Sequence, residues 1–281
     1  MKLFLIGFLG AGLGLAAQAP QAAVRVGAPG ASAVGARAGN VVGKAILGFF
    51  PGPGPSELNT ILGIFGAARV GEPVLVPETV SRLYLSTRQR YALVEQNSSG
   101  ALAVWALSET GTGEPVSLAG ALTHADLVAF SPRGDAAALY ARDSGQVQVI
   151  GGLPSKPVIQ KIPAVESPGA ITMMAVSDDA TVLVTRDSVG TVQISTGGGT
   201  WQPFYGAYSP AAWTFVPRTH DLAISDSQEN AVFLVEQAGA KNARVVLAEN
   251  GSADQLHATS DGETLVALDS RRSMLWTVDL K

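Results

Sequence analysis

The chain has 281 residues, 15% charged and 47% hydrophobic, with 32 Gly, 16 Pro and no Cys. The lack of cysteine excludes disulfides, thiolate catalysis, Cys-based metal centres and a lipid anchor on an N-terminal cysteine. Net charge is −4, but residues 1–56 hold four bases (Lys2, Arg25, Arg37, Lys44) and no acid, leaving 15 bases against 23 acids in the remainder; a body of that sign repels phosphate backbones, so nucleic acid is not an expected partner.

Met1-Lys2 is followed by an apolar run from Leu3 to Leu15 and then by Ala16-Ala17-Gln18-Ala19. A short basic start, about a dozen apolar residues and a small-x-small site make a secretory signal over residues 1–19. Pro20 disfavours cleavage directly after Ala19, so a cut after Ala16 or Ala17 is equally compatible. The run is too short and too rich in Gly for a stable membrane span. The expected location is therefore periplasmic or extracellular, with no span left after signal cleavage.

Residues 20–58 are almost uncharged and rich in Ala, Gly, Pro and Val. They read as a weakly ordered spacer. Pro51-Gly52-Pro53-Gly54-Pro55 is predicted to stay out of helices and paired strands, because proline lacks the N–H that both need. From residue 59 onward, Gly and Pro recur at short intervals between runs of Val, Leu, Ile and Thr. That texture predicts short strands and tight turns.

Those strands repeat. Leu83–Ser86, Val128–Ser131, Met174–Ser177, Thr214–Pro217 and Leu256–Thr259 each lead into a first turn, and their last residues are 45, 46, 40 and 42 apart. A second turn follows at Asn97-Ser98, Asp143-Ser144, Asp187-Ser188, Asp226-Ser227 and Asp269-Ser270, with steps of 46, 44, 39 and 43. Third strands are predicted over 101–107, 146–150, 191–195, 231–236 and 273–279, and fourth strands over 115–118, 157–162, 202–205 and 243–247. A period in the low forties with four strands is that of a β-propeller blade. One small sheet cannot cover both of its faces, so blades stack around an axis, which accounts for runs such as Thr181-Val182-Leu183-Val184-Thr185. The predicted fold is all-β, a propeller of about five four-stranded blades over residues 59–281.

The stretch His124-Ala125-Asp126-Leu127-Val128-Ala129-Phe130-Ser131-Pro132-Arg133-Gly134 resembles the opening of a WD40 repeat. Ala175-Val176-Ser177-Asp178-Asp179 through Asp187-Ser188-Val189-Gly190-Thr191-Val192 is similar to a YVTN-type bacterial propeller repeat, as is the stretch from Ala258 onward. The resemblance spans roughly 67–281. It implies a fold and, because most such proteins are binding platforms, a binding role. The chain departs from WD40 in lacking Trp-Asp at the strand ends: Trp105 precedes Ala and Trp276 precedes Thr.

Two readings of the ends stand. Glu72-Pro73-Val74-Leu75-Val76 resembles the fourth strand Glu114-Pro115-Val116-Ser117-Leu118 one repeat later, so it fits as the missing fourth strand of the last blade. That would close a strained five-blade ring, expected to be a monomer. Alternatively, Ile61-Leu62-Gly63-Ile64-Phe65 is a third strand standing before it, and the N-terminal part is a blade without its inner half, leaving an open arc.

The candidate binding residues are those gathered at one face: Asn97, Asp143, Asp187, Asp226 and Asp269 at the second turns, with His124 and Asp126 in the loop leading into an inner strand. The turn acids are expected chiefly to bond backbone N–H groups two residues on. His124 is expected to bond the turn acid of its own repeat, Asp143. Trp201, Tyr205, Tyr208 and Trp213 are expected to fill a wedge between blades or to form an aromatic surface. Calcium-loop, P-loop, HExxH and Gly-x-Ser-x-Gly patterns do not occur, so neither metal nor other cofactor is expected. The sequence therefore points to an exported propeller that binds a protein or small ligand without catalysis, with a lactonase-like or hydrolytic propeller enzyme as the alternative.

Overall fold

The computed structural model describes residues 46–54, 56–64, 67–107, 114–165 and 169–280. The expected signal over 1–19 and most of the spacer lie outside them. Among the described residues there are strands and turns but no helix, and the strands form six antiparallel sheets. Blade 1 holds β1 (Ile46–Pro51), β2 (Leu58–Ile64) and β3 (Ala67–Val74). Blade 2 holds β4 (Val80–Leu85), β5 (Tyr91–Gln96), β6 (Leu102–Ala106) and β7 (Val116–Ser117). Blade 3 holds β8 (Leu127–Phe130), β9 (Ala136–Ala141), β10 (Gln146–Gly151) and β11 (Val158–Ile162). Blade 4 holds β12 (Ile171–Val176), β13 (Val182–Asp187), β14 (Val192–Thr196) and β15 (Gln202–Pro203). Blade 5 holds β16 (Pro210–Phe215), β17 (Leu222–Asp226), β18 (Ala231–Glu236) and β19 (Ala243–Glu249). Blade 6 holds β20 (Gln255–Ala258), β21 (Thr264–Asp269) and β22 (Met274–Asp279).

The sheets stand in a ring, a β-propeller, with six blades rather than about five. The extra blade comes from the N-terminal part. The segment expected to complete the last blade instead pairs with β2, from Leu58↔Val74 to Ile64↔Ala67. A short hairpin closes with far less entropy loss than a strand carried round to the last sheet. Of the two readings of the ends, the one with a strand standing before it is realised in β2, which ends at Ile64, and β1 adds one more strand, but the open arc of that reading is replaced by a ring. The spacer is therefore shorter than expected, since Ile46–Pro51 within it is paired. Pro51 ends an edge strand opposite Leu58, where its missing N–H costs no ladder bond.

The second strand of each blade shows why the sheets stack. In β9 every residue is buried. Ala137, Leu139 and Ala141 pack with blade 2, while Ala136, Ala138 and Tyr140 pack with blade 4. The same alternation sends Tyr91 and Leu93 of β5 one way and Ala92 and Val94 the other. In β17, Leu222 and Ile224 face blade 4 and Ala223 faces blade 6. A period of two puts neighbouring residues on opposite faces, so a strand packed on both sides must be apolar at every position. Five apolar cores join blades 1 and 2, 2 and 3, 3 and 4, 4 and 5, and 5 and 6. Among the described residues no such core joins blade 6 to blade 1. There β21 keeps the alternation, but Leu265 and Ala267 are buried against blade 5 while Val266 and Leu268 on the opposite face are only half-buried.

The first turns of blades 2 to 6 form a circuit at one end of the ring. Buried Ser131, Ser177 and the matching Thr259 each accept the N–H five residues on: Ala136 at 3.0 Å, Val182 at 3.0 Å and Thr264 at 3.1 Å. The turns also touch one another. Thr87 Oγ1 donates to Ser131 O (2.8 Å), and Arg133 N donates to Asp178 Oδ1 (2.8 Å). Arg218 N donates to Asp178 Oδ2 (2.9 Å), Gly262 lies beside Val216 and Pro217, and Arg88 Nη2 reaches Ser260 O at 3.4 Å.

Val192 lies in β14 and is buried in the core between blades 4 and 5. Val192→Asp is expected to cost about 2–5 kcal/mol, because a carboxylate there loses its water without gaining a partner. A thermal melt measures this, and an unchanged midpoint would mean that Val192 faces solvent.

Candidate functional site

The second turns and the loops leading into the inner strands share the opposite end of the ring, because they bond each other. Asp126 Oδ2 accepts from Arg142 N (2.7 Å), and Asp254 Oδ1 accepts from Ser270 N (3.1 Å). This loop face carries all seven predicted residues, in two groups. Asp187, Asp226 and Asp269 end their strands and are buried. Asp187 Oδ1 accepts from Val189 N (3.0 Å) and Thr191 N (2.8 Å), and Asp269 Oδ1 accepts from Arg272 N (3.0 Å). Asp226 accepts four backbone N–H groups: Tyr208 and Ser209 on Oδ2, Gln228 and Glu229 on Oδ1. Asn97 lies one residue and Asp143 two residues past their strands, and both are exposed, Asn97 donating to Glu78 O (2.6 Å). His124 and Asp126 are exposed as well.

His124 corrects the expectation about its partner. Its Nδ1 lies 2.9 Å from Oε1 of Glu95, in the preceding blade, rather than against Asp143. Asp126, rather than Asp143, accepts from the backbone of the second turn of blade 3. Glu95 is buried in β5 and its Oε2 has no hydrogen-bond partner. Across the β4–β5 ladder Glu95 sits opposite Arg82, and Tyr84 on the same strand donates to Ala125 O at 2.9 Å. Burial raises the Tyr84 pKa, with the Arg82 contact opposing it and the Glu95 charge adding to it. A carboxylate on Nδ1 fixes the imidazole and leaves Nε2 towards water, the arrangement of a general base. Glu95 went unnoticed in the sequence, although one acid inside Tyr91-Ala92-Leu93-Val94-Glu95 is a legible sign of a buried carboxylate.

The His124 ring lies against Gly100, whose φ is +62°. A Cβ at that position would overlap the ring. Gly100→Ala is expected to cost about 1–3 kcal/mol, through left-handed backbone strain and an unpaired Glu95. Thermal melts together with the NMR signals of the His124 ring check this; a ring still bonded to Glu95 at an unchanged midpoint would refute it.

At the other end, Asp178, Asp179, Arg218, Thr219 and His220 line a hollow of about 240 Å³. Burial works against charge on Asp179, but bonds from Ser177, His220 and Thr181 outweigh it and hold the carboxyl well below the ordinary range. The three side chains do not form a nucleophilic relay. Asp179 Oδ2 (2.9 Å) and Thr181 Oγ1 (3.1 Å) both meet the same nitrogen, His220 Nε2, whereas a relay needs acid and nucleophile on opposite nitrogens. The cluster ties first turns together.

The aromatic residues divide. Trp213 is buried between blades 4 and 5, and Trp201 donates to Pro163 O (2.7 Å). Tyr205 and Tyr208 are 84% and 63% exposed, and Arg244 lies 5.8 Å from the Tyr208 ring centre. On the inner strands the exposed positions are Arg82, Thr172, Ala211, Gln255 and His257. Among the described residues no group of three or more His, Asp or Glu is placed to hold a metal ion, and no helix is long and apolar enough to cross a membrane. No family model matches this sequence, and no curated protein matches it significantly.

Proposed function

We propose that this chain is an exported propeller of the WD40-like or YVTN-like kind that acts as a non-catalytic platform and holds a protein partner on its loop face. One observation carries the reading. The buried turn acids Asp187, Asp226 and Asp269 are engaged by backbone N–H groups, while Tyr208 and Val189, 63% and 65% exposed, are offered to solvent. Exposed tyrosine with a guanidinium beside it is typical of residues that anchor protein interfaces. Export rests on the pattern of residues 1–19. With the chain immobilised and offered an envelope fraction, Tyr208→Ala and Val189→Ser are expected to lower recovery of the captured partner about tenfold. Recovery unchanged by both would refute the reading, and a chain retained unprocessed in the cytoplasm would refute export.

The Glu95–His124 pair favours a second reading, a hydrolase with His124 as base. Turnover of ester or lactone substrates that His124→Ala abolishes would establish it in place of the first.

A further inference from the structure

We infer that the hollow between blades 5 and 6 on the loop face is a binding site for a free α-amino acid with a small side chain. The hollow has a volume of about 280 Å³. It is bordered by Ala211 of β16, by Ala253 and Asp254 in the loop leading into β20, and by Asp269, Arg271 and Arg272 at the second turn of blade 6. Bonds within the protein already hold both the loop and the turn. Gly251 N donates to Asn230 O (2.9 Å), Ala253 N to the buried Ser225 Oγ (2.7 Å) and Asp254 N to Leu268 O (2.9 Å). Ser270 N and Oγ both donate to Asp254 Oδ1 at 3.1 Å, and Arg272 N donates to Asp269 Oδ1 at 3.0 Å. A site whose backbone is fixed beforehand loses little entropy when it is filled.

Charge identifies the ligand. Arg272 Nε lies 3.6 Å from Asp269 Oδ2, so that acid and that base offset each other. Two opposite charges are left over. The Ser270 bonds occupy only Oδ1 of Asp254, and Oδ2 has no donor among the described residues. Arg271 is exposed, and its guanidinium forms no hydrogen bond or ion pair among the described residues. An anion alone would be drawn to Arg271 and repelled by Asp254, and a cation alone would meet the reverse. A small molecule carrying both charges satisfies both, with its carboxylate on the guanidinium fork and its ammonium on Oδ2. Those two groups on one carbon make an α-amino acid. Size agrees. The hollow falls just short of pockets that take drug-sized ligands, roughly 300–1,000 Å³, and Ala211 and Ala253 bring only methyl groups to its wall, which suits a short apolar side chain.

Amino-acid binding needs no protein partner, so its failure would leave the platform reading standing. Calorimetric titration of the purified full chain with L-alanine is expected to give a saturable heat. N-acetyl-L-alanine lacks the ammonium and L-alaninamide lacks the carboxylate, and each is expected to bind about tenfold more weakly or worse. Arg271→Ala is expected to weaken L-alanine binding about tenfold. The thermal midpoint of the ligand-free variant should not change, because the Arg271 side chain holds nothing in the fold. Asp254→Asn keeps an oxygen for Ser270 but loses the charge, and is expected to weaken binding as much. The absence of a saturable heat with L-alanine would overturn the inference. So would either blocked derivative binding as well as L-alanine, or an affinity that either substitution leaves intact.

Discussion

Asp226→Ala is expected to destabilise the protein by about 3–5 kcal/mol, the cost of breaking a buried charged network from one side. Asp226 is fully buried and its two oxygens accept from Tyr208 N (2.6 Å), Ser209 N (2.9 Å), Gln228 N (2.9 Å) and Glu229 N (3.1 Å). Those donors belong to two segments: the loop leading into blade 5 and the second turn of the same blade. One carboxylate thus fixes both, and alanine leaves four N–H groups to find water or strain the turn. Asp226→Asn, which keeps one oxygen, is expected to fall between wild type and alanine. Burial alone would raise the Asp226 pKa, but the bonds from Ser209, Glu229, Tyr208 and Gln228 outweigh it and hold the folded-state value below the ordinary one. Its stabilising share is therefore complete above the unfolded carboxylate pKa of about 4 and is lost as pH falls through the depressed folded value. Chemical denaturation between neutral and strongly acidic pH should show the wild type losing more stability than Asp226→Ala. Equal slopes for the two would contradict this account.

Trp105→Ala is expected to cost a similar amount, about 3–5 kcal/mol, with a different consequence. Trp105 in β6 is fully buried in the core that joins blade 1 to blade 2, alongside Phe49, Leu58 and Val94. Blade 1 has no core with blade 6 among the described residues, so this single interface bears most of its attachment. Phe49 N also donates to Gln89 Oε1 (2.7 Å), a side-chain bond that one hydrogen-bond length of movement would break. A cavity there should loosen blade 1 before the rest. Limited proteolysis should cut the variant first between residues 46 and 75, and amide exchange there should rise while β9 and β17 stay protected. Uniform loss of protection across all blades would show that blade 1 is held by the global fold rather than by this one core.

The candidate site was legible in the sequence only as far as its chemistry is local. A short acid at a tight turn bonds the N–H groups that follow it, which is why Asp187, Asp226 and Asp269 behave as their position suggests. His124 was recognisable, but its partner was not. Glu95 is 29 residues away and in another blade, and only stacking of the two sheets brings the pair together. The same holds for Asp178, whose oxygens accept from residues 45 and 40 positions away in both directions.

For blades 2 to 6 the sequence by itself determined the strands, their order within each blade and the blade period, whereas β1 fell in the expected spacer. Alternation of side chains and tight-turn chemistry act over a few residues, and both are written in consecutive letters. It determined just as well that the second strands run nearly continuously apolar, hence that the sheets stack. Only the tertiary structure decided the place of the N-terminal strands: Ala67–Val74 pairs with its neighbour β2, and blade 1 is a separate sheet. Competing partners for a strand differ in loop entropy and in the faces they bury, and neither quantity exists until the sheets are packed.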